Sequence, residues 1–273
     1  MKHIFEHHGK RLAYQDVGQG PVLLFGHSYL WDSAMWAPQV EVLSRHYRCI
    51  VPDLWAHGDS DDAPEQTHSL ADIAADMLAL LDHLNIEQVT LIGLSVGGMW
   101  GVEFAQLAPS RLKALVLMDT FVGREPEVTH QKYMGMLTTI EQVQHVPAPL
   151  LDAIVPLFFA PTTLAQQPHF VDAFHHSLQQ LKGDRANAVA RIGRLTFDRR
   201  DQIDALAQLA LPVLIMVGQH DVARPPLESY LMQDEITGAE LTLIPEAGHI
   251  ANLEQPERVT ERLTHFLQHV YRD

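Results

Sequence analysis

The segment VTLIGLSVGGMWG, Val89 to Gly101, places a single serine between two glycines at the end of an apolar run. The run has the composition of a buried strand, and the small residues after it lead into a helical pattern. In this strand–turn–helix setting, Gly-x-Ser-x-Gly predicts a sharp turn in which Ser95 has a strained backbone conformation. Side chains at positions 93 and 97 would collide with neighbouring backbone, which explains the two glycines. The segment therefore predicts a serine hydroxyl held clear of the backbone at the head of a helix.

Length and composition restrict the class of protein. The chain has 273 residues, 47% of them hydrophobic and 19% charged, which suits one large domain or a domain with an insertion. A formal net charge of -15 argues against nucleic acid or an anionic membrane as a partner, because both require basic surfaces. The single cysteine, Cys49, excludes an intramolecular disulfide. The N-terminal segment MKHIFEHHGK has no apolar run of signal-peptide length, and no stretch approaches the length of a membrane span, so the sequence predicts a soluble cytoplasmic protein. The sequence does not indicate an oligomeric state.

Short apolar runs alternate with longer helical patterns along most of the chain. The segment from Ser69 to Asn85 combines a serine at its start with apolar residues at a 3.6-residue period, which predicts a helix. The N-terminal segment predicts a hairpin that turns at Gly9. The predicted fold class is α/β, a mostly parallel doubly wound sheet with helices on both faces. Five buried strands are predicted at PVLLFGH, YRCIVPD, VTLIGLS, ALVLMDT and PVLIMVG.

One region interrupts this alternation. Residues 121–198 contain helical patterns and many prolines but no convincing strand, and they are too numerous for a simple loop. We predict a core formed by residues 1–120 and 199–273, with residues 121–198 inserted as a helical cap over one edge of the sheet. The alternative is a peripheral helical region with no role in substrate binding.

A serine hydroxyl needs a base to become a nucleophile. Among 17 histidines, His249 follows a strand-like run and precedes a helix, which places it at the same sheet edge as Ser95. Asp221 follows the strand PVLIMVG and would orient the imidazole. The chain order serine, aspartate, histidine is the one expected of α/β-hydrolases. Asp119, at the end of another predicted strand, is the rival acid.

Two backbone N–H groups are predicted to form an oxyanion hole. The N–H of Val96, directly after the serine, is one donor. The second donor should lie in the loop after PVLLFGH, where we favour Tyr29 and keep Ser28 as the alternative. His27, at the end of that strand, is predicted to brace the loop by hydrogen bonds rather than to act as a base.

Together these motifs resemble the α/β-hydrolase superfamily, in particular its single-domain serine hydrolases with a helical cap. Two segments, HSYLWDSAMWAPQ and LIGLSVGGMWG, also resemble 3-oxoadipate enol-lactonases. The resemblance implies a cofactor-free hydrolase that cleaves an ester or lactone of a small to medium molecule through an acyl-enzyme. Haloalkane dehalogenases carry an aspartate where this chain has Ser95. The segments that carry the resemblance are GHSYLWDSAMWAPQ, VPDLWAHGDSD, LIGLSVGG, VGQHDVARPP and PEAGHIANLEQPERV.

Pocket residues are less well defined by the sequence. Trp31, beside the oxyanion loop, is a candidate pocket wall, and Phe158 and Phe159 either line an acyl pocket or pack the cap onto the core. No metal site is predicted. The segment DLWAHGDSD is interpreted as a braced turn, and the adjacent pairs His7–His8 and His175–His176 are interpreted as surface residues, because neighbouring side chains in a strand or helix diverge.

Other functions share these motifs. The same triad serves carbon–carbon bond hydrolases of ring-cleavage products and cofactor-free perhydrolases, and a ligand-binding receptor can keep the fold with slow hydrolysis. A scaffold role with an inactive site is disfavoured by the intact Ser95, Asp221 and His249. The identity of the products and the turnover rate distinguish these functions.

Overall fold

The computed structural model describes residues 2–272 as one eight-stranded sheet with helices on both faces. The strand order is β1-β2-β4-β3-β5-β6-β7-β8. The first two strands and the β2–β4 pair are antiparallel, and every other neighbouring pair is parallel. The predicted mostly parallel doubly wound sheet is confirmed. The strands are β1 (Lys2–His7), β2 (Lys10–Val17), β3 (Val22–Gly26), β4 (Arg48–Pro52), β5 (Val89–Leu94), β6 (Leu112–Met118), β7 (Val213–Gly218) and β8 (Glu240–Ile244).

Helices cover both faces of this sheet. Leu24 and Leu91 point to the face that carries the second and third helices, and Leu23 and Ile92 point to the face that carries the first and the last. The predicted helix after Ser69 is present, with the Ser69 hydroxyl capping its N-terminus. The helices are α1 (Ala37–Leu43), α2 (Leu70–His83), α3 (Val96–Leu107), α4 (Glu127–Val143), α5 (Ala148–Ile154), α6 (Pro161–Gln166), α7 (Pro168–Gln179), α8 (Gly183–Phe197), α9 (Ile203–Leu206), α10 (Pro226–Glu235), α11 (Ala251–Glu254) and α12 (Pro256–Val270).

The parallel register aligns the carboxyl ends of the central strands. Leu94 of β5 pairs with Met118 of β6, and Met118 pairs with Met216 of β7. The residues that follow these strands therefore meet at one edge of the sheet, which is where open α/β sheets bind ligands. Within residues 2–272, no helix has both the length and the apolar character needed to cross a membrane.

Six helices, α4 to α9, lie between β6 and β7, and we call the first five of them, α4 to α8, the helical region. Two arginines of α8 attach this region to the segment after β4. Arg185 donates to the carbonyls of Gly58 and Ser60, both at 2.7 Å. Arg191 donates to a second group of carbonyls in the same segment, those of Ala63, Pro64 and Thr67 at 2.8–2.9 Å. The division of the chain into a core and a cap at residues 121–198 stays a prediction.

The turn from β5 to α3 brings backbone against backbone. Ser95 has φ 57° and ψ −120°, a conformation that L residues rarely adopt. A Cβ atom at Gly97 would lie 2.2 Å from the carbonyl oxygen of Gly26 in β3, and one at Gly93 would lie 2.4 Å from the backbone of Gly97. Only glycine therefore permits α3 to pack directly over β3.

The structure predicts opposite effects for alanine at two helical glycines. G97A should lower the free energy of unfolding by more than about 2 kcal/mol, because the methyl group overlaps the β3 backbone. G135A, in α4, has no atom within 4 Å of the added Cβ and should raise the free energy of unfolding by about 0.5–1 kcal/mol through helix propensity. Urea unfolding followed by circular dichroism measures both values. Equal effects of the two substitutions would contradict the backbone contact.

Candidate active site

Three side chains predicted from separate segments form one hydrogen-bonded row. The Ser95 Oγ lies 2.9 Å from the His249 Nε2, and the His249 Nδ1 lies 2.9 Å from the Asp221 Oδ2. All three residues are buried. Because a carboxylate only accepts, the Nδ1–H of His249 donates to Asp221 and its Nε2 is left to accept the serine proton. This geometry can support nucleophilic attack by the serine oxygen.

The acid of this row is held by the loop after β7. The Asp221 Oδ1 accepts the backbone N–H groups of Ala223 and Arg224, both at 2.8 Å, which leaves Oδ2 for the imidazole. The Arg224 guanidinium pairs with Glu125 at 2.8 Å, and Arg199 pairs with the same carboxylate at 2.7 Å. Burial alone would raise the pKa of Glu125, but the two arginines lower it. Buried ion pairs thus fix the loop that presents Asp221.

The rival acid, Asp119, lies near Asp221, but one of its carboxyl oxygens is hydrogen-bonded to the backbone at the end of β7. Its Oδ1 accepts a hydrogen bond from the backbone N–H of Gly218 at 2.7 Å, and the backbone of Asp119 has a φ angle of 45°. Burial, followed by the negative charge of Asp221, raises the pKa of Asp119 well above its ordinary value. Burial therefore favours the neutral form of the Asp119 carboxyl group relative to a carboxyl group in water. The imidazole of His249 faces Asp221 rather than Asp119.

A glutamate connects the loop of His249 to the helical region. The Glu254 carboxylate accepts the backbone N–H of Gly248 at 2.5 Å and that of Ala160 at 2.7 Å. The backbone N–H of His249 donates to the carbonyl oxygen of Phe158 at 3.1 Å. These contacts place the Phe158 ring edge-on to the imidazole, with 5.4 Å between ring centroids. Sequence reasoning missed Glu254, although it lies within the segment PEAGHIANLEQPERV that carries the resemblance.

The predicted oxyanion loop follows β3. The backbone N–H of Ser28 donates to the sulfur of Met35 at 3.3 Å, and that of Leu30 donates to the His57 Nε2 at 3.1 Å. The N–H of Tyr29 lies between these two engaged groups, which favours Tyr29 over Ser28 as the donor. Leu30 has a φ angle of 69°, and this left-handed backbone conformation is part of the turn in the loop.

The other predicted donor begins α3. Val96 is the first residue of this helix, so its N–H has no acceptor within the helix and lies next to the serine side chain. The helix N-terminus adds a partial positive charge at the same place. An oxygen that becomes negative beside Ser95 would therefore meet a favourable field.

Two buried histidines brace the oxyanion loop. The His27 Nδ1 donates to the Ser28 carbonyl at 2.8 Å, and its Nε2 accepts the N–H of Leu54 at 2.7 Å. The His57 Nδ1 donates to the Trp55 carbonyl at 2.9 Å while its Nε2 accepts from the oxyanion loop. Burial lowers the pKa of His57 to about 3 and also lowers that of His27. His27 has the bracing position that the sequence predicted, whereas the part of His57 was not foreseen.

These geometric findings agree with comparisons to known proteins. A family model described as the alpha/beta hydrolase fold matches residues 21–256. The chain belongs to the α/β-hydrolase family. It is 26% identical to 3-oxoadipate enol-lactonase 2 of Acinetobacter baylyi, over 90% of this chain and 89% of that relative.

Solved structures of α/β-hydrolases superpose on most of the chain. An esterase from Thermogutta terrifontis matches with a TM-score of 0.90 and 28% identity over all of both chains. The enol-lactonase from Burkholderia xenovorans matches with a TM-score of 0.87 and 25% identity, over 97% of this chain and all of that one. Membership of a hydrolase family supports an enzyme.

A small apolar cavity of about 90 Å³ opens beside Ser95 in this α/β-hydrolase. Phe158 lines this cavity, which is the first of the two positions that the sequence left open for it. Trp31 instead lines a neighbouring pocket of about 500 Å³, where its ring stacks on Phe174 at 4.5 Å. Phe159 is buried against Trp31 and Phe170. Its extended backbone sends the side chain away from the cavity that its neighbour Phe158 lines. The structure therefore brings only one of the three predicted pocket residues to the cavity beside the serine.

The neutral state of His57 predicts a loss of stability in acid. Since the folded-state pKa is about 3 and the ordinary value is 6.5, the stabilising contribution is complete above pH 6.5 and is lost as the pH falls toward 3. Between pH 7 and pH 5 the wild type should lose about 2 kcal/mol more than H57Q, in which glutamine can still accept from Leu30. Urea unfolding at both pH values measures the difference. H68Q, at an exposed histidine, is the matched control, and an identical pH dependence in H57Q and wild type would contradict the assignment.

Proposed function

We propose that this protein is a serine hydrolase that cleaves an ester or lactone of a small to medium molecule through an acyl-enzyme. The observation that carries the proposal is the continuous row from the Ser95 hydroxyl through His249 to Asp221, with 2.9 Å at each step. The row lies at the carboxyl edge of the sheet, beside an apolar cavity. The named activities of the relatives, an esterase and enol-lactonases, support the same chemistry.

In the proposed acylation, the Ser95 Oγ attacks the substrate carbonyl while the His249 Nε2 takes its proton. Asp221 stabilises the resulting imidazolium and keeps its tautomer. The carbonyl oxygen becomes negative and is held by the N–H groups of Tyr29 and Val96, each worth about 3 kcal/mol in the barrier. His249 then protonates the leaving alkoxide as the carbon–oxygen bond breaks.

In the proposed deacylation, water takes the place of the alkoxide. His249 removes a proton from the water, whose oxygen attacks the acyl carbonyl, and the Ser95 oxygen leaves with that proton. The products are a carboxylic acid and an alcohol, or one hydroxy acid when the substrate is a lactone. None of these steps requires a metal or a cofactor.

The cavity favours a short apolar acyl group. Its volume of about 90 Å³ is below the roughly 150 Å³ of an apolar cavity that holds benzene. Arg224 also lines the cavity, but its guanidinium is engaged by Glu125. We further propose that residues 121–198 act as the cap that shapes this cavity, because several wall residues come from the helical region. They include Tyr133, Leu137, Ile140, Ile154, Leu178 and Val189.

Three substitutions test the assignment of the triad. S95A should lower kcat/KM for p-nitrophenyl acetate by about 10³-fold or more, and D221N should lower it by about 10³–10⁴-fold. D119N is the matched control, because His249 pairs with Asp221 rather than with Asp119, and the hydrogen bond from Gly218 can be kept by an amide oxygen. It should keep most of the activity. A loss in D119N as large as that in D221N would overturn the choice of acid, and full activity in S95A would overturn the mechanism.

A series of acyl chain lengths tests the cavity. Wild type should prefer acetyl to butyryl esters and turn over octanoyl esters poorly. Leu181 lines both the cavity and the neighbouring pocket, so L181A should join the two spaces and raise the ratio of octanoyl to acetyl kcat/KM by about tenfold or more. L107A removes an exposed leucine of α3 and is the control. A flat chain-length response in wild type and L181A would contradict a shaped acyl pocket.

Product identification separates this function from the other chemistry that the triad permits. Rapid release of acid and alcohol from esters or lactones supports the proposal. Turnover only of ring-cleavage products, with a carbon–carbon bond broken, would replace it with a carbon–carbon hydrolase. Labelling of Ser95 by a fluorophosphonate together with tight ligand binding and very slow hydrolysis would indicate a receptor.

A further inference from the structure

A second group of chemically active side chains lies outside the active site. Within residues 2–272, one set of three histidine, cysteine or acidic residues brings its donor atoms within 4.8 Å of one another. Its members are His7 and His8, at the turn between β1 and β2, and Asp76 of α2. We propose that these three residues bind a divalent transition-metal ion such as Zn²⁺.

The turn explains how two adjacent histidines can bind the same metal ion. Neighbouring side chains diverge in a strand or a helix, and on that ground the sequence argued against a metal. His8, however, has φ 51° and is followed by Gly9 with φ 73°, which makes a tight hairpin turn. The ring centroids of His7 and His8 are consequently only 4.0 Å apart. The two rings can lie close together because only His7 belongs to a strand, whereas His8 lies in the turn.

The distance between two of the donor atoms suits a common ion. The His7 Nε2 lies 3.0 Å from the Asp76 Oδ1. Zinc–nitrogen and zinc–oxygen bonds of about 2.0–2.1 Å place neighbouring donor atoms about 2.9–3.4 Å apart in octahedral or tetrahedral geometry. An ion can therefore replace the proton between the two groups with little movement of either side chain.

Surrounding contacts orient these ligands. The Trp55 Nε1–H donates to the Asp76 Oδ2 at 2.7 Å, and the Thr67 hydroxyl donates to the same oxygen at 3.3 Å. Oδ1 is thus the oxygen turned toward the histidines. The Phe5 ring stacks on that of His7 at a centroid distance of 5.2 Å. Such outer contacts fix ligand orientation in metal sites and raise affinity.

The donor set selects the class of ion. Two imidazole nitrogens and one carboxylate oxygen suit zinc and the late first-row transition metals, whereas Ca²⁺ and Mg²⁺ prefer oxygen ligands. Three protein ligands leave a further position for water. A bound ion would connect the β1–β2 turn to α2 and thereby stabilise the folded chain.

Another pair of histidines on α12 provides the control. His265 and His269 lie one helical turn apart with ring centroids 4.4 Å from each other, but among residues 2–272 no carboxylate completes a group of three with them. An incidental affinity of a histidine-rich surface for zinc would depend on this pair at least as much as on His8. Removing one imidazole at each place therefore separates a built site from incidental binding.

Calorimetric titration of the EDTA-treated, dialysed protein with ZnCl2 tests the proposal. Wild type and H265N should bind one ion with equal affinity, and H8N should bind at least about tenfold more weakly. Asparagine tolerates the left-handed conformation at position 8, so the turn and the fold should be kept. One equivalent of Zn²⁺ should also raise the Tm of wild type and H265N but not that of H8N.

Several results would overturn the site. They are equal binding by H8N and wild type, loss of binding only in H265N, or no binding by wild type. Circular dichroism of H8N without metal checks that the variant is folded. Ester hydrolysis should be the same in H8N and wild type, because position 8 lies outside the proposed catalytic groups.

Discussion

The contact between the backbones of α3 and β3 is the constraint on which the candidate active site depends. Gly97 lies so close to Gly26 that no side chain fits between them, and the turn before it forces Ser95 to a positive φ. This close packing fixes where the serine oxygen and the N–H of Val96 stand relative to the end of β3. The oxyanion loop starts at that same end. The proposed nucleophile and oxyanion donors are thus positioned by one backbone contact rather than by adjustable side chains.

Around this contact, burial shifts the pKa values of several titratable side chains. Asp221 faces the imidazole, while burial and the negative charge of Asp221 raise the pKa of Asp119, which is also buried at the strand ends. His27 and His57 serve as neutral hydrogen-bonding groups beneath the oxyanion loop. Protonation of either imidazole would convert its Nε2 from an acceptor into a donor, and the backbone N–H opposite it would lose its acceptor. Burial therefore assigns each titratable group a single role.

Much of the fold and of the triad could be predicted because those signals are local. The apolar runs, the capped helix after Ser69 and the glycines around Ser95 each report a backbone shape within a few residues. The parallel topology then brings the strand ends together, and with them Asp221 and His249. These predictions needed no knowledge of side-chain packing.

The remaining features depend on contacts between distant segments. His57 reaches the oxyanion loop from the segment after β4, and Glu254 reaches Ala160 across 94 positions. Neither partner carries a sequence signal for the other. Phe158 and Phe159 were equivalent by composition, and only the path of the backbone between them decides which one lines the cavity. The close approach of the His7 and His8 rings was not foreseen, because a turn does not share the periodicity of a strand.

The attachments of the helical region have a consequence for motion. Arg185 and Arg191 hold α8 to the segment after β4, and Glu254 holds the other side at Ala160. A rigid swing of these helices would break hydrogen bonds on both sides at once. Passage between the cavity beside Ser95 and the neighbouring pocket instead requires rotation of side chains that line both spaces, such as Leu178 and Leu181. Side-chain rotation is faster than domain opening, so these attachments favour entry to the cavity by side-chain motion rather than by a swing of the helical region.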